Sequence, residues 1–272
     1  MIGAGIGASL SPALHEREAA EQHLRYAYRL IDIDESPEDV GALVERAHRA
    51  GFSGLNVTHP CKQAVVAHLD ALSADAAALQ AVNTVVFDDG RATGHNTDVT
   101  GFAENFARGL PDVAVGSVVL LGAGGAGTAV AYAALQLGVE RLTIVDVDPG
   151  RARACARQLE SDRIEAGTLD TLAEADGLIH ATPTGMEGHD PGMPLDDELL
   201  HPGLWVADIV YRPLETPLLR RARDVGCRTL DGGGMAVFQA ADSFALFTGI
   251  EPDRERMLRH FAELVEEPVS AP

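Results

Sequence analysis

Apolar and polar positions in the first hundred residues alternate between strand-like and helix-like patterns. Short apolar runs predict strands, and amphipathic stretches that open on a serine and a proline, Ser11-Pro12 and Ser36-Pro37, predict capped helices. The predicted strands are 1–6, 26–33, 52–57, 81–87 and 91–96, and the predicted helices are 11–25, 36–51 and 60–79. Asp89 and Gly90 separate the last two strands, as in a tight hairpin turn. The first sheet is therefore expected to be mixed.

From Ser117 onward, strand and helix patterns alternate regularly. Such alternation predicts right-handed crossovers and a parallel sheet with helices on both faces. The predicted strands are 117–121, 141–145, 177–181, 204–209 and 227–230, followed by helices at 235–247 and 252–267 and a fraying tail at 267–272. The fold class is thus α/β: an N-terminal α/β domain with a mixed, mostly parallel sheet, and a Rossmann dinucleotide-binding domain.

The composition changes this picture in only a few respects. The chain has 272 residues, 46% of them hydrophobic and 23% charged, which suits two globular domains. A net charge of -20 argues against nucleic acid as a partner. The three cysteines are far apart and the ten histidines lack metal-ligand spacing, so neither a disulfide framework nor a metal site is predicted. No signal peptide or membrane-spanning stretch is evident, and we expect a cytoplasmic protein.

A glycine-rich motif follows the apolar strand at 117–121 and opens a helix, which is the context that a dinucleotide loop requires. Its residues are Gly122, Ala123, Gly124, Gly125, Ala126 and Gly127. Asp146 ends the next strand, 24 residues after Gly122 (146 − 122 = 24), where a carboxylate can accept hydrogen bonds from ribose hydroxyls. With Asp148 it would repel a 2′-phosphate, so NAD is favoured. Arg151 and Arg153 nearby leave NADP open.

A second motif, which is polar, ends the strand predicted at 52–57. It reads Asn56-Val57-Thr58-His59-Pro60-Cys61-Lys62. Pro60 blocks further ladder pairing, so Thr58 and Lys62 are expected at a strand end, where open α/β sheets bind ligands.

Six separated motifs occur in an order that resembles the shikimate dehydrogenase family over nearly the whole chain. They are Ser9 to Pro12, Asn56 to Lys62, Ala81 to Thr84, Gly94 to Asp98, the Gly122 loop, and Asp231 to Gln239. His59-Pro60, His95-Asn96 and Asp146 look most like the NAD-dependent quinate/shikimate dehydrogenase branch. NADP-using members usually have Asn-Arg-Thr or Asn-Arg-Ser where this chain has Asp146-Val147-Asp148, and this departure supports NAD.

The resemblance implies a role for each matching residue. Lys62 and Asp98 would be the catalytic pair: Lys62 exchanges the hydroxyl proton and Asp98 orients the same hydroxyl, with the reverse division open. Residues that would bind the substrate are Ser9, Ser11, Thr58, Asn83, Tyr211 and Gln239. Residues on the nicotinamide side of the cofactor would be Thr182, Met186, Gly234 and Met235. Ser11 as a simple helix cap and Asn83 as a simple strand tie remain alternatives.

The implied domains are 1–98, completed by 235–272, for the substrate, and 99–234 for NAD, with the active site in the cleft between them. The implied reaction is hydride transfer at the ring C3 alcohol, interconverting shikimate and 3-dehydroshikimate, quinate and 3-dehydroquinate, or both. An aminated ring analogue and a non-catalytic dinucleotide sensor stay open as alternatives. The expected partner is a small hydroxylated ring carboxylate, and neither a membrane nor a metal is expected. The protein is expected to be a monomer or a homodimer.

Overall fold

The computed structural model describes residues 1–35 and 38–266. The chain divides into two compact units: unit 1 comprises Met1–Thr97 with Val237–Pro272, and unit 2 comprises Asp98–Ala236. The cap predicted at Ser36-Pro37 and the tail predicted at 267–272 lie outside the described residues.

Strands and helices alternate along the chain. The strands are β1 (Ile2–Gly3), β2 (Ile31–Asp32), β3 (Gly54–Asn56), β4 (Ala71–Leu72), β5 (Thr84–Asp88), β6 (Arg91–His95), β7 (Ser117–Leu121), β8 (Arg141–Val145), β9 (Ile164–Ala166), β10 (Gly177–His180), β11 (Trp205–Asp208) and β12 (Arg228–Leu230). The α-helices are α1 (Ser11–Glu21), α2 (Val40–Arg49), α3 (Cys61–Ala64), α4 (Ala74–Leu79), α5 (Thr97–Gly109), α6 (Gly125–Gln136), α7 (Pro149–Gln158), α8 (Pro217–Val225), α9 (Gly233–Thr248) and α10 (Arg254–Glu266). Across the described ranges, no helix is both long and apolar enough to span a bilayer.

Unit 1 is built on a mixed sheet, as predicted. Its four strands lie in the order β3-β5-β6-β4, with β5 antiparallel to both neighbours and β4 parallel to β6. β1 and β2 form a parallel pair, and a bridge between Ile2 and Val57 joins β1 to the end of β3. Apolar side chains from these strands and from α2 form the core beneath them, among them Leu43, Leu55 and Val85.

Unit 2 contains a six-stranded parallel sheet in the order β12-β11-β10-β7-β8-β9. This is the predicted doubly wound arrangement, and its strand order reverses between β7 and β10, where open sheets bind ligands. Every residue of β10 and β11 is buried, as expected for strands covered by helices on both faces. The predicted α/β fold is confirmed.

The tight hairpin turn predicted between β5 and β6 is also confirmed. Asp89 and Gly90 both have positive φ, 45° and 76°, which is the backbone geometry of a tight hairpin turn. The register pairs Asp88 with Arg91 beside the turn and Thr84 with His95 at the other end.

The first two strands are shorter than predicted. β1 ends at Gly3 instead of residue 6, and β2 covers only Ile31–Asp32. The Asp32 carboxylate accepts hydrogen bonds from the backbone N–H groups of Gly5 (3.1 Å) and Ile6 (3.0 Å). This carboxylate therefore turns the chain away from the sheet directly after Gly3.

The helix predicted at 60–79 was wrong, because a strand interrupts it. The segment forms α3, a 3₁₀ turn at Val65–His68, β4 and then α4. Asp70 accepts the N–H of Ala92 at 2.7 Å and so fixes β4 beside β6. Ser73 then caps α4 by accepting the N–H of Ala76 at 3.3 Å.

Other boundaries differ in similar ways. α2 begins at Val40 because the Asp39 side chain caps it, accepting from Gly41 and Ala42. α1 ends at Glu21 instead of 25, and His23 follows with a φ of 58°. β9 was not predicted at all: its three residues are too few to show an alternating pattern.

Candidate active site

The polar segments of unit 1 meet at one edge of its sheet. The register pairs Asn56 with Thr84, and Thr84 with His95, so β3 ends, β5 begins and β6 ends at the same edge. Backbone hydrogen bonds continue this alignment beyond the strands, from Val57 N to Asn83 O (2.7 Å) and from Asn83 N to His95 O (3.0 Å). Three motifs far apart in sequence are therefore neighbours in the fold.

Thr58 and Lys62 lie directly after β3 at this edge. The N–H of Thr58 donates to Ile2 O at 2.9 Å, and the N–H of Val82 donates to Lys62 O at 2.8 Å. Lys62 is half-buried in the first turn of α3. It is also the only lysine in the sequence, since all the other residues in the lysine-plus-arginine count are arginines. The motif does not include this compositional signal, which points to the same residue.

Asn83 holds the start of α5. Its Oδ1 accepts the Thr97 N–H at 2.8 Å, and its Nδ2 donates to Thr97 Oγ1 at 2.9 Å. Asp98 is the next residue in that first helical turn and is only 6% exposed. Asn83 thus ties β5 to the helix that begins with Thr97-Asp98, whatever it contributes to substrate binding.

A buried polar network lies behind these residues, and the sequence analysis did not identify it as part of a site. Asn56 Nδ2 donates to Thr84 Oγ1 (3.1 Å) and to Ser243 Oγ (3.1 Å). The Ser243 hydroxyl donates to the backbone oxygen of Gln239 at 2.9 Å. The network therefore fixes the α9 turn that contains Gln239 over the same edge. No spacing in the sequence signals it, because its members come from β3, β5 and α9.

Ser9 and Ser11 lie at the start of α1. Ser11 is not the predicted side-chain cap: it is the first helical residue, and its N–H donates to Ser9 Oγ at 3.3 Å. Its hydroxyl bonds the phenol of Tyr28, and burial, with a smaller contribution from Tyr26, raises the pKa of that phenol. Tyr28 in turn donates to Asn56 Oδ1 at 2.7 Å, which connects α1 to the buried network.

In unit 2, the glycine-rich loop joins β7 to α6. Gly122 has a φ of 107°, a backbone conformation that residues with a Cβ rarely adopt. A Cβ added at Gly127 would lie 2.0 Å from Gly122 O, so only glycine lets the helix approach the strand this closely. Gly124 precedes α6, and no side chain caps that helix. Its first N–H groups are thus suited to a pyrophosphate, and the loop fits a dinucleotide.

Asp146 lies at the end of β8, beside this loop. Its Oδ2 accepts the Ala123 N–H (2.8 Å) and its Oδ1 accepts the Asp148 N–H (3.0 Å). The nearest guanidinium nitrogen of Arg151 is 4.0 Å from Asp146 Oδ1. Asp148 caps α7 by accepting the Gly150 N–H at 2.8 Å, so its carboxylate has a structural role as well.

The remaining predicted cofactor residues also lie in unit 2. Thr182 and Met186 belong to the loop after β10, and Thr182 packs against the glycine loop: a Cβ on Gly122 would be 3.0 Å from its methyl group. Gly234 and Met235 lie in the first turn of α9, where Asn105 fills the space beside Gly234. Tyr211 follows β11, and burial raises the pKa of its phenol, partly opposed by Arg212.

The predicted residues thus form two groups. Unit 1 brings together the residues predicted at the substrate, namely Ser9, Ser11, Thr58, Lys62, Asn83 and Gln239. Unit 2 contains the predicted cofactor residues, and also Asp98 and Tyr211. In the part of the chain that the structure describes, no group of three or more histidine, cysteine or acidic side chains is placed to hold a metal ion.

Known proteins resemble this chain over nearly its whole length. Residues 1–85 match the model of the shikimate dehydrogenase substrate binding domain, and residues 232–260 match that of the shikimate 5'-dehydrogenase C-terminal domain. A protein of Streptomyces avermitilis named shikimate dehydrogenase (NADP(+)) is 64% identical, covering 97% of this chain and 94% of its own. A quinate/shikimate dehydrogenase (NAD(+)) of Corynebacterium efficiens is 49% identical, covering 97% of both chains.

Among solved structures, the quinate dehydrogenase of Corynebacterium glutamicum in complex with NAD is 46% identical, with a TM-score of 0.93. The match covers 96% of this chain and 97% of that one. The resemblance inferred from the six motifs is confirmed, and the chain belongs to the shikimate dehydrogenase family.

Proposed function

We propose that this chain is an NAD-dependent dehydrogenase that interconverts shikimate and 3-dehydroshikimate, quinate and 3-dehydroquinate, or both. The observation on which this proposal chiefly rests is the single edge of unit 1 at which Thr58, Lys62 and Asn83 meet. It is supported by a glycine loop in unit 2 that fits a dinucleotide. When bound, the cofactor would take or return the hydride of the ring alcohol.

Within this proposal, the domain of 1–98 with 235–272 binds the ring and that of 99–234 binds the dinucleotide. Lys62 accepts the hydroxyl proton during oxidation and returns it during reduction, as a general base and acid. Asp98 orients the same hydroxyl. Ser9, Ser11, Thr58 and the amide side chains supply neutral hydrogen bonds to a polyhydroxylated ring.

The choice of NAD rests on Asp146. Its carboxylate is held at the end of β8 by the N–H groups of Ala123 and Asp148, where it would bind ribose hydroxyls and repel a 2′-phosphate. NADP is the rival, because Arg151 lies 4.0 Å from that carboxylate and could bind a phosphate. The protein of Streptomyces avermitilis is named for NADP(+), and that of Corynebacterium efficiens for NAD(+).

A steady-state screen tests the proposal. Quinate, shikimate and an amino analogue are each offered with NAD and with NADP, and reduced cofactor is followed by absorbance. We expect turnover of at least one of the first two rings and higher kcat/KM with NAD. Exclusive turnover of the amino analogue would replace the substrate assignment. Dinucleotide binding without turnover of any ring would favour the non-catalytic sensor instead.

A further inference from the structure

Two buried ionisable residues of unit 2 have no part in the function proposed above. His180 ends β10 and Asp208 ends β11, and the strand register places them side by side. Both side chains are completely buried, and His180 Nδ1 lies 2.9 Å from Asp208 Oδ1. On its other side, His180 Nε2 lies 2.5 Å from Thr182 Oγ1. The imidazole ring therefore bridges a carboxylate and the first residue predicted to face the nicotinamide.

The hydrogen-bond chain continues beyond Asp208. Its Oδ2 accepts the Thr216 hydroxyl at 2.7 Å, and its Oδ1 accepts the Val210 N–H at 3.0 Å. Thr216 also caps α8, because its Oγ1 accepts the Leu219 N–H at 3.2 Å. The chain Thr182–His180–Asp208–Thr216 thus connects the loop after β10 to the start of α8.

With a neutral imidazole ring, one arrangement of protons satisfies the hydrogen bonds from Thr182 to Thr216. Asp208 accepts every bond as a carboxylate, so His180 carries its proton on Nδ1. Nε2 is then an acceptor for the Thr182 hydroxyl, whose own oxygen accepts the Thr184 N–H at 3.3 Å. Because the ring is fully buried, water does not compete for these bonds. The Thr182 hydroxyl has one fixed direction as a result.

The loop after β10, which these hydrogen bonds hold, lies against two other segments of unit 2. A Cβ on Gly122 would be 2.6 Å from Ala181 O and 3.0 Å from the Thr182 methyl group, so the loop borders the glycine-rich turn. A Cβ on Gly185 would be 3.5 Å from both Thr216 and Pro217, so the loop also borders α8. The loop is thus bordered on both sides, and the bond between His180 and Thr182 ties it to the end of β10.

We propose that His180 is a positioning residue, which through its bond to Thr182 holds the 182–186 loop in the place where the nicotinamide end of the dinucleotide binds. It touches no ligand itself, since its side chain is fully buried. The proposal rests on the proposed function, because it assigns this loop to the cofactor. Small displacements of the reacting groups strongly lower the rate of a catalysed reaction. Loss of the bridge should therefore be measurable in the kinetic constants.

A double-mutant cycle tests the bridge. Thr182→Val removes the hydroxyl with little change in shape, and His180→Asn keeps a polar group near Asp208 but is too short to reach Thr182. Each single variant should raise the KM for dinucleotide and lower kcat/KM about tenfold, the scale of one lost hydrogen bond. The double variant should be no worse than His180→Asn alone. Losses that multiply would overturn the proposal, as would wild-type kinetics in Thr182→Val.

The matched control is Thr143→Val, which changes a buried threonine on β8 in the same sheet. We expect its kinetic constants to stay within about twofold of wild type, as for sites without a shared partner. If His180→Asn does not fold, the kinetics of Thr182→Val do not isolate the bridge, because Thr182 is itself predicted to lie beside the nicotinamide. The His180 Nε2 signal in Thr182→Val then tests the bridge directly.

A spectroscopic measurement separates this proposal from the proposed function. Imidazole ¹⁵N spectra of the dinucleotide-free protein should show one histidine with its proton on Nδ1 and a hydrogen-bonded Nε2. Thr182→Val should shift only the Nε2 signal. An Nε2 without a hydrogen bond, or an Nε2 signal that Thr182→Val leaves unchanged, would contradict the bridge. If the wild-type protein turns over no ring alcohol, the proposed function fails, whereas these spectra and a dinucleotide titration still decide on His180.

Discussion

Lysine and arginine differ in one property that matters at position 62. Arginine stays protonated in proteins, whereas lysine can give up and regain a proton. The sequence has 21 lysine and arginine residues together, and Lys62 is the only lysine among them. The proton exchange proposed for Lys62 would account for a lysine at this position and arginine at the others.

Lys62→Arg keeps the positive charge and removes the exchangeable proton. We expect kcat to fall at least about 100-fold, the usual scale of general acid–base catalysis, with dinucleotide affinity unchanged. Initial rates and a binding titration measure the two quantities. The control is the reverse exchange Arg49→Lys on the exposed face of α2, which should behave as wild type. More than about a tenth of wild-type activity in Lys62→Arg would contradict the role of Lys62.

The proposed preference for NAD over NADP also depends on single residues. Asp146→Asn keeps an oxygen for the Ala123 N–H and removes the negative charge. The ratio of kcat/KM for NAD to that for NADP should fall at least about tenfold, because repulsion of the 2′-phosphate is lost. Arg151→Ala should change the ratio in the opposite direction. An unchanged ratio in Asp146→Asn would show that another residue selects the cofactor.

At the scale of elements, α1 packs a histidine into an aromatic cluster. His15 is 1% exposed, and its ring lies 5.0–6.1 Å from those of Tyr26, Tyr28, Phe244 and Phe247. Burial, aided by the positive charge of the amino terminus, lowers its pKa from 6.5 to about 3. Folding therefore requires the neutral ring.

This pKa predicts a pH dependence of stability. Above pH 6.5 the ring is neutral in both states and contributes no pH dependence, whereas between pH 6.5 and about 3 only the unfolded chain binds the proton. Stability should thus fall on acidification, by up to about 1.4 kcal/mol per pH unit from this group. Urea unfolding of wild type and His15→Phe at several pH values measures it. The variant should have the shallower slope, and equal slopes would contradict the prediction.

Elements that show a long pattern could be predicted, and those fixed by single contacts could not. β7 and β8 have the predicted bounds because each is a mostly apolar run of five residues, which ends at a glycine loop in β7 and at an acidic residue in β8. β4 has two residues, and its place depends on one bond from Ala92 to Asp70. The site divides in the same way. Motif spacing predicted Lys62 and the glycine loop as site residues, but the His180 bridge joins β10, β11 and α8 and leaves no periodic signal.

At the scale of the whole molecule, the net charge of -20 opposes compaction. Exposed ion pairs such as Arg46 with Glu38 at 2.7 Å are the opposing attraction, but each contributes only about 0–1 kcal/mol. Repulsion among unpaired acids should therefore dominate at neutral pH.

Salt should stabilise the protein as a consequence. Raising NaCl from about 10 to 150 mM shortens the screening length from about 30 to 8 Å. We expect Tm at pH 7 to rise by about 2–4 °C, equivalent to about 1 kcal/mol for a chain of this size. Differential scanning calorimetry measures it. The rise should shrink at pH 5, close to the pI of 4.7, and a fall in Tm at pH 7 would mean that attractive pairs dominate.

The hairpin turn at Asp89-Gly90 offers a point of attachment to instruments. It lies at the opposite end of β5 and β6 from Thr84 and His95, and therefore away from the edge where the predicted substrate residues lie. All three native cysteines are buried, so Asp88→Cys beside the turn would add an exposed thiol. A fluorophore or a biosensor linker attached there would leave the edge with the predicted substrate residues uncovered.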